Sequence, residues 1–187
     1  MASLVLASGS PRRRELLGQF SGHDIRIEVP DVNEDCDLPA CQAVGKLSRR
    51  KARAVDFREG EIVIAADTLV EIDGETLGKP ENDAEAFAML KRLSGRRHNV
   101  YTGITVFDGQ RELTETELTR VRFAPLTDND IKAYVATKEP LDKAGAYGIQ
   151  GRGALLVSGI EGDFYNVMGL PLHRLGQLLG GFGIKLC

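Results

Sequence analysis

The 187-residue sequence has no tryptophan, three histidines and three cysteines, and its apolar runs are all short. Because a membrane span needs about 20 consecutive apolar residues, we expect no membrane partner. The cysteines are odd in number and lack zinc-like spacing; they are Cys36, Cys41 and Cys187. The first residues carry neither the basic nor the apolar region of a secretory signal. These absences together predict a cytoplasmic protein.

Three common catalytic motifs are also missing. The absence of GxxxxGK[ST] argues against a P-loop NTPase. The absence of GxSxG and HExxH argues against serine hydrolases of that type and against zincins. With a formal net charge of −3 and a pI near 5.7, the chain lacks the basic field that coating a nucleic acid requires. We therefore expect a small charged ligand and no nucleic-acid partner.

Strand-like and helix-like patterns alternate along the chain. Strands are predicted at 4–7, 25–29, 62–66, 69–72, 75–77, 100–107, 112–123 and 154–158. Helices are predicted at 11–19, 40–57, 82–93, 127–137 and 170–179, with an irregular Gly-rich segment at 144–153. The length suits one domain. This order predicts an α/β fold in which helices flank a mixed sheet.

The segment 4–17, LVLASGSPRRRELL, joins an apolar strand to a helix that starts with proline and three arginines. Ser10 can cap this helix, and Pro11 suits its first position. Cations at a helix N-terminus are disfavoured by about 0.3–1 kcal/mol each, so Arg12, Arg13 and Arg14 call for a compensating anion. The alternative is an ordinary solvated surface. The turn favours a ligand that carries phosphate.

Further charged residues stand where elements are predicted to end. Asp67 directly follows the strand 62–66, where an acid can be a metal ligand, a general base or part of an ordinary turn. Pro80 holds the backbone of Lys79 extended. Glu34 can bind a hard cation and Lys51 a phosphate. These groups predict a polyphosphate ligand with a divalent cation.

The segment 139–151 contains three glycines that let a backbone approach a ligand closely. Within it, Gln150 can recognise donors and acceptors on a base. A flexible loop is the alternative interpretation. Neighbouring carboxylates disfavour a Cys36 thiolate, and the three histidines lack metal-like spacing. What remains is attack of water on a nucleotide phosphoanhydride, assisted by Mg²⁺ or Mn²⁺.

These motifs, in this order along nearly the whole chain, resemble the Maf family. The matching segments are 8–17, 51–52, 66–68, 78–80, 142–151 and 167–171. The resemblance implies a single nucleoside triphosphate pyrophosphatase domain over residues 1–187. It also implies an elongated mixed α/β fold like that of the inosine-triphosphate pyrophosphatases, the Maf/Ham1 type. The family has long been labelled as septum-formation inhibitors, and its members tend to form homodimers.

The resemblance implies a role for each matching residue. Asp67 is the proton acceptor, although the sequence leaves open whether it acts as a base or as a metal ligand with Glu34. The phosphate contacts fall on Ser8, Arg13, Lys51 and Lys79. The residues that mark the dTTP/UTP-selective branch fall on Arg12, Thr68 and Gln150. The branch that acts on 7-methyl-GTP typically carries Trp, Gln and Glu at those three places, and this sequence has none of them.

We therefore expect hydrolysis of dTTP and UTP at the α–β phosphoanhydride to NMP and pyrophosphate, linked to cell-division arrest and to cleaning of the nucleotide pool. Two alternatives stay open. One is a nucleotide-binding regulator of septum formation that acts without hydrolysis, and the other is a 7-methyl-GTP pyrophosphatase. The sequence also leaves open whether the physiological nucleotide is normal or modified.

Overall fold

The computed structural model describes residues 3–186 of the chain. This part contains seven strands and six α-helices. The strands are β1 (Ser3–Ala7), β2 (Ile25–Glu28), β3 (Glu61–Ile72), β4 (Glu75–Leu77), β5 (Arg97–Phe107), β6 (Glu112–Phe123) and β7 (Val157–Glu161). The helices are α1 (Pro11–Phe20), α2 (Ala40–Arg53), α3 (Asp83–Leu93), α4 (Asp128–Val135), α5 (Phe164–Met168) and α6 (Leu172–Gly180). Three 3₁₀ turns cover Glu139–Asp142, Ala144–Ala146 and Gly151–Leu155.

All seven strands belong to one mixed sheet. Its order is β2-β1-β3-β5-β6-β7, and β4 pairs with β3 outside this path. Strand β1 runs parallel to both neighbours, with Val5 opposite Arg26 on one side and Val63 on the other. Strand β3 is antiparallel to β4, and β6 is antiparallel to β7. The predicted mixed α/β class is confirmed.

The chain divides into two compact units. The first contains residues 3–67, 102–117 and 169–186 of the described chain, and the second contains residues 68–101 and 118–168. In the first unit, Leu4–Ala7 of β1 is completely buried, as expected for a parallel strand covered on both faces. One apolar cluster of this unit joins β1 and β3 to the end of α2 and the residues after it.

Helix α2 lies directly on strand β5 in the first unit. A Cβ atom added to Gly103 would stand 2.3 Å from the carbonyl carbon and oxygen of Val44 and 2.6 Å from the Gly45 nitrogen. No real Cβ approaches other heavy atoms so closely, so only glycine allows this contact between the two backbones. The contact fixes the helix that carries Lys51 two turns later.

The core of the second unit combines β3–β6 with helices α3 and α4. At one end of it, the rings of His98, Phe123 and Tyr147 meet edge to face, with centroids 4.7–5.3 Å apart. Such arrangements are worth more than their buried area alone. They fix the segment before Gln150 against the sheet.

Several predicted boundaries are wrong. The strands predicted at 62–66 and 69–72 are one strand, β3, so Asp67 and Thr68 lie within a strand and not after one. Asp67 stays in the sheet because its buried carboxylate has an ionic partner, described below. Helix α2 ends at Arg53 rather than 57, since Val55 and Phe57 pack into the first unit's core from the segment that follows.

The last predicted strand is displaced, because residues up to Leu155 form a 3₁₀ turn and β7 begins at Val157. Helix α5 was not predicted. Among residues 3–186, no helix has both the length and the apolar character of a membrane span.

Candidate functional site

The turn after β1 places one arginine inside the protein. Arg13, 9% exposed, donates from Nε to the Gly169 carbonyl at 2.7 Å and from Nη1 to the Ala66 carbonyl at 2.9 Å. The same Nη1 donates to Ser8 Oγ at 3.2 Å, and Ser8 Oγ also accepts from the Ser10 backbone N–H. The guanidinium thus holds the turn against β3 and against Gly169, the residue after α5.

The other two arginines of this turn lie differently. Arg12 is half-buried and Arg14 is exposed. Ser10 is the N-cap of α1 and accepts from the Arg13 N–H at 3.5 Å, while Pro11 occupies the first turn, as predicted. The three arginines that the sequence places together therefore occupy three environments, and the buried one has a defined position.

A lysine between two carboxylates lies in the same unit. Lys51 Nζ is 2.5 Å from Asp67 Oδ1 and 2.8 Å from Glu34 Oε1. The Asp67 and Lys51 side chains are 9% and 13% exposed, whereas that of Glu34 is 64% exposed. Helix α2 supplies the lysine, β3 the buried acid and the acidic segment before α2 the outer acid.

Burial controls the ionisation of this cluster. Desolvation raises the pKa of Asp67; the positive charges of Lys51 and Arg13 oppose that shift, and Glu34 adds to it. Desolvation also lowers the pKa of the Arg13 guanidinium, against the attraction of Asp67 and Glu34. Arginine nevertheless stays charged in proteins. A carboxylate with a raised pKa in a charged cluster is a typical functional-site feature.

The two carboxylates suit a hard divalent cation. Among residues 3–186, no group of three or more His, Cys, Asp or Glu side chains could hold a metal ion by itself. Mg²⁺ in proteins, however, is often bound by one or two carboxylates together with substrate phosphates. Glu34 and Asp67 already share one small cationic group, the Lys51 ammonium. The donor set therefore fits a cation that arrives with a phosphate ligand.

Among the predicted site residues, five form two groups joined by hydrogen bonds or ion pairs, and Arg12 lies in the first unit with them. Hydrogen bonds or ion pairs join Ser8 to Arg13, and Lys51 to Glu34 and Asp67, and all five belong to the first unit. Three predicted residues belong to the second unit, where Thr68 is half-buried in β3 and Lys79 and Gln150 are exposed. Cys36 is half-buried and Cys41 exposed, and both are free thiols. Cys187 lies outside the described residues.

Sequence reasoning misses the groups that hold this site. The carbonyls of Ala66 and Gly169 fix Arg13, and a backbone acceptor has no signature in the sequence.

His98, which the sequence suggests is incidental, is 3% exposed and lies 2.7 Å from the Tyr147 hydroxyl. Burial lowers the pKa of His98 to about 4. Its position two residues before the buried Val100 on β5 is the one available signal.

Comparison with known proteins gives a consistent family assignment. A family model described as Maf-like protein matches residues 3–182. A dTTP/UTP pyrophosphatase of Symbiobacterium thermophilum is 56% identical over 190 residues, which cover 100% of this chain and 97% of the relative. The dTTP/UTP pyrophosphatase of Thermococcus onnurineus is 51% identical, with 97% and 99% covered.

Solved structures show the fold. The Ham1 protein of Staphylococcus aureus matches with a TM-score of 0.57 at 17% identity, covering 96% of this chain and 98% of that one. A HAM1 protein from Coxiella burnetii matches with a TM-score of 0.54 at 16% identity, covering 97% and 100%. The predicted Ham1-type fold is confirmed.

Proposed function

This chain belongs to the Maf family, and from that premise we propose that it hydrolyses dTTP and UTP at the α–β phosphoanhydride. The products are the nucleoside monophosphate and pyrophosphate. The names of the relatives at 56% and 51% identity support this substrate class. The observation that carries the proposal is the buried Asp67 carboxylate, held by Lys51 next to Glu34 in a unit that also buries Arg13.

In this proposal the triphosphate binds Ser8, Arg13, Lys51 and Lys79. Phosphoryl transfer is mainly a problem of positioning and charge stabilisation, so fixed cations matter more than flexible ones. Arg13 is fixed by two backbone carbonyls, which makes it a preorganised charge behind the Ser8 hydroxyl. Lys79, next to the buried Pro80, is an exposed charge on a stiff backbone.

Glu34 and Asp67 would hold the divalent cation, Mg²⁺ or Mn²⁺. When bound, such an ion neutralises phosphate charge and lowers the pKa of a coordinated water. The two acids divide this work by burial, since Asp67 is almost inaccessible and Glu34 is mostly exposed. Most of the Glu34 side chain faces the solvent from which the nucleotide arrives, whereas Asp67 is buried in β3.

Asp67 is also placed to accept a proton. Its Oδ1 now accepts a hydrogen bond from Lys51, and a phosphate gives that ammonium a competing partner. Burial, which raises the pKa of Asp67, brings the carboxylate closer to the range in which a general base works well. Asp67 then takes the proton of the water that attacks the α-phosphorus. The base and metal-ligand roles remain two versions of this proposal.

Arg12, Thr68 and Gln150 are the proposed selectivity residues. Thr68 directly follows Asp67 on β3. In this proposal a residue that selects the substrate is therefore next to the residue that accepts the proton. The sequence has no tryptophan, which removes the residue typical of the 7-methyl-GTP branch. A pyrimidine triphosphate is the proposed substrate.

The test is a panel of dTTP, UTP, GTP and 7-methyl-GTP with Mg²⁺, assayed for NMP, pyrophosphate and inorganic phosphate. We expect NMP and pyrophosphate from dTTP and UTP, at rates well above those for the purine nucleotides. Nucleoside diphosphate and phosphate would indicate β–γ cleavage and contradict the mechanism. Binding without any product would favour the regulator of septum formation, and preference for 7-methyl-GTP would favour the sister branch.

We further propose a cytoplasmic protein that acts as one Maf-like domain over residues 1–187. The family model supports the single domain because it spans 3–182. We also propose a homodimer, which size-exclusion chromatography with light scattering would detect at twice the chain mass of 20.4 kDa.

A further inference from the structure

The loop that carries Gln150, residues 148–153, is held by two side chains that lie outside it, those of Tyr134 and Glu139. Gln150 is exposed and stands directly before the 3₁₀ turn Gly151–Leu155. Gly151 has φ = +63°, a conformation that glycine adopts without strain, so the chain reverses there. The backbone N–H groups on both sides of Gln150 donate to Glu139 and Tyr134.

The Glu139 carboxylate receives three hydrogen bonds. The Arg152 N–H donates to Oε2 at 3.1 Å, and the Gly153 N–H donates to Oε1 at 3.2 Å. The Tyr134 hydroxyl donates to the same Oε1 at 2.9 Å. A carboxylate that accepts backbone N–H groups forms charge-assisted bonds, which are stronger than neutral ones. Glu139 therefore fixes the side of the loop that follows Gln150.

Tyr134 fixes the side that precedes Gln150. Its hydroxyl accepts from the Gly148 N–H at 3.1 Å while donating to Glu139. Tyr134 is 4% exposed, and burial raises its pKa, so the hydroxyl keeps the proton that it donates. The two branches of the loop also touch, because a Cβ on Gly153 would lie 2.1 Å from the Gly148 carbonyl oxygen. Gln150 thus stands in a loop whose two branches touch and are held by Tyr134 and Glu139.

We infer that Glu139, together with Tyr134, positions Gln150 for recognition of the pyrimidine base. This inference rests on the proposed dTTP/UTP activity and on the proposed role of Gln150. Neither Glu139 nor Tyr134 is assigned a contact with substrate, and both act through the loop backbone. A rigid loop lets an amide side chain discriminate between bases without first being ordered by the substrate.

Three variants separate the contacts. Glu139→Ala removes all three acceptor contacts, whereas Glu139→Gln keeps one oxygen and sets an NH₂ group against a backbone N–H. Tyr134→Phe removes one hydroxyl with little change in shape. We expect KM for dTTP to rise about tenfold in Glu139→Ala, as for the loss of a hydrogen bond to a charged group. The rise should be smaller in the other two variants, with kcat within about twofold of wild type, since the groups that stabilise the transition state are untouched.

Amide hydrogen exchange gives a readout that does not depend on activity. Exchange at Gly148, Arg152 and Gly153 should speed up in the Glu139 variants, while amides of the α3 interior stay protected. Gln150→Ala should raise KM for dTTP without changing exchange in the loop. Glu85→Gln is the matched control, because Glu85 also accepts from a backbone N–H in the second unit, that of Glu81, and it should leave KM unchanged.

Unchanged KM and base selectivity in Glu139→Ala, with faster loop exchange, would show a purely structural role and overturn the inference. Unchanged exchange would overturn it as well. If Gln150→Ala leaves selectivity unchanged, the proposed role of Gln150 fails, and the inference fails with it. If the wild-type protein turns over no nucleotide, the proposed function fails separately. The dissociation constant of dTTP, measured by calorimetry for wild type and Glu139→Ala, then decides the positioning role.

Discussion

The two compact units bury polar side chains in opposite ways. The first unit buries charges, with Arg13, Lys51 and Asp67 all largely removed from solvent. The second unit buries the neutral His98–Tyr147 pair, in which burial lowers the pKa of His98 to about 4 and raises that of Tyr147. Buried charges cost stability unless they are paired, and even pairs are weak evidence for stability. The difference fits the proposal that the first unit holds the reacting groups and that the second provides rigid support.

The largest expected effect is on turnover. Asp67→Asn keeps the shape of the side chain but cannot accept a proton or carry charge. We expect kcat for dTTP to fall by at least about 10³-fold, within the range for loss of a general base. Release of pyrophosphate measures it. Asp24→Asn, at an exposed position of the same unit, is the control, and wild-type turnover by Asp67→Asn would refute the proposed role.

The same variant tests the cost of burying charge. Because the folded-state pKa of Asp67 is raised, ionising this group destabilises the folded protein. This loss of unfolding free energy develops as pH rises through the raised pKa of the folded state. It is absent below the ordinary aspartate pKa of about 3.9. We expect Asp67→Asn to be more stable than wild type at pH 7.5, with the difference shrinking as pH falls toward 4. Urea unfolding at several pH values measures it.

His98→Gln provides the contrast from the second unit. His98 is neutral throughout the range from pH 5.5 to 8, since its pKa is about 4. In the unfolded chain, however, a histidine takes up a proton near pH 6.5, so the wild type should lose stability relative to His98→Gln as pH falls from 8 to 5.5. A difference that grows in acid for Asp67→Asn, or one that stays constant for His98→Gln, would contradict the contrast between the units.

The smallest expected effects concern the helix caps. Asn82 Oδ1 accepts from the Glu85 N–H at 3.0 Å in the second unit, whereas Ser10 Oγ accepts from the Arg13 N–H at 3.5 Å in the first. Asn82→Ala should cost about 1 kcal/mol of unfolding free energy, a typical value for a cap. Ser10→Ala should cost less, because its bond is at the limit of hydrogen-bond length. Equal losses in chemical denaturation would contradict this ranking.

Local signals predicted most of the fold. Pro11 and Asn82 mark the starts of α1 and α3, and the structure confirms both. The turn Asp73-Gly74 is confirmed as the hairpin between β3 and β4, with φ positive at both residues. That conformation explains why Asp-Gly is a strong hairpin signal. Signals of this kind act within a few residues, so a single sequence contains them.

The features that sequence reasoning missed depend on distant residues. Asp67 remains inside β3 because Lys51, on another element, pairs with it. Arg13 is held in the interior by the carbonyl of Gly169, 156 residues away, which accepts a hydrogen bond from its Nε. Glu139 lies in a segment that resembles a flexible loop, and only folding brings it to the N–H groups of Arg152 and Gly153. The site residues themselves stay predictions, carried by the family motifs.

The contact between α2 and β5 has a consequence for how this protein can evolve. The Val44 backbone leaves no space for a Cβ on Gly103, so every other amino acid there would push the helix off the strand. Lys51 is on that helix and would move with it. Position 103 therefore tolerates only glycine, although this residue has no side chain. We expect a substitution there to reduce enzyme activity. A site remote from the proposed chemistry can therefore be as intolerant of change as Asp67, the proposed proton acceptor.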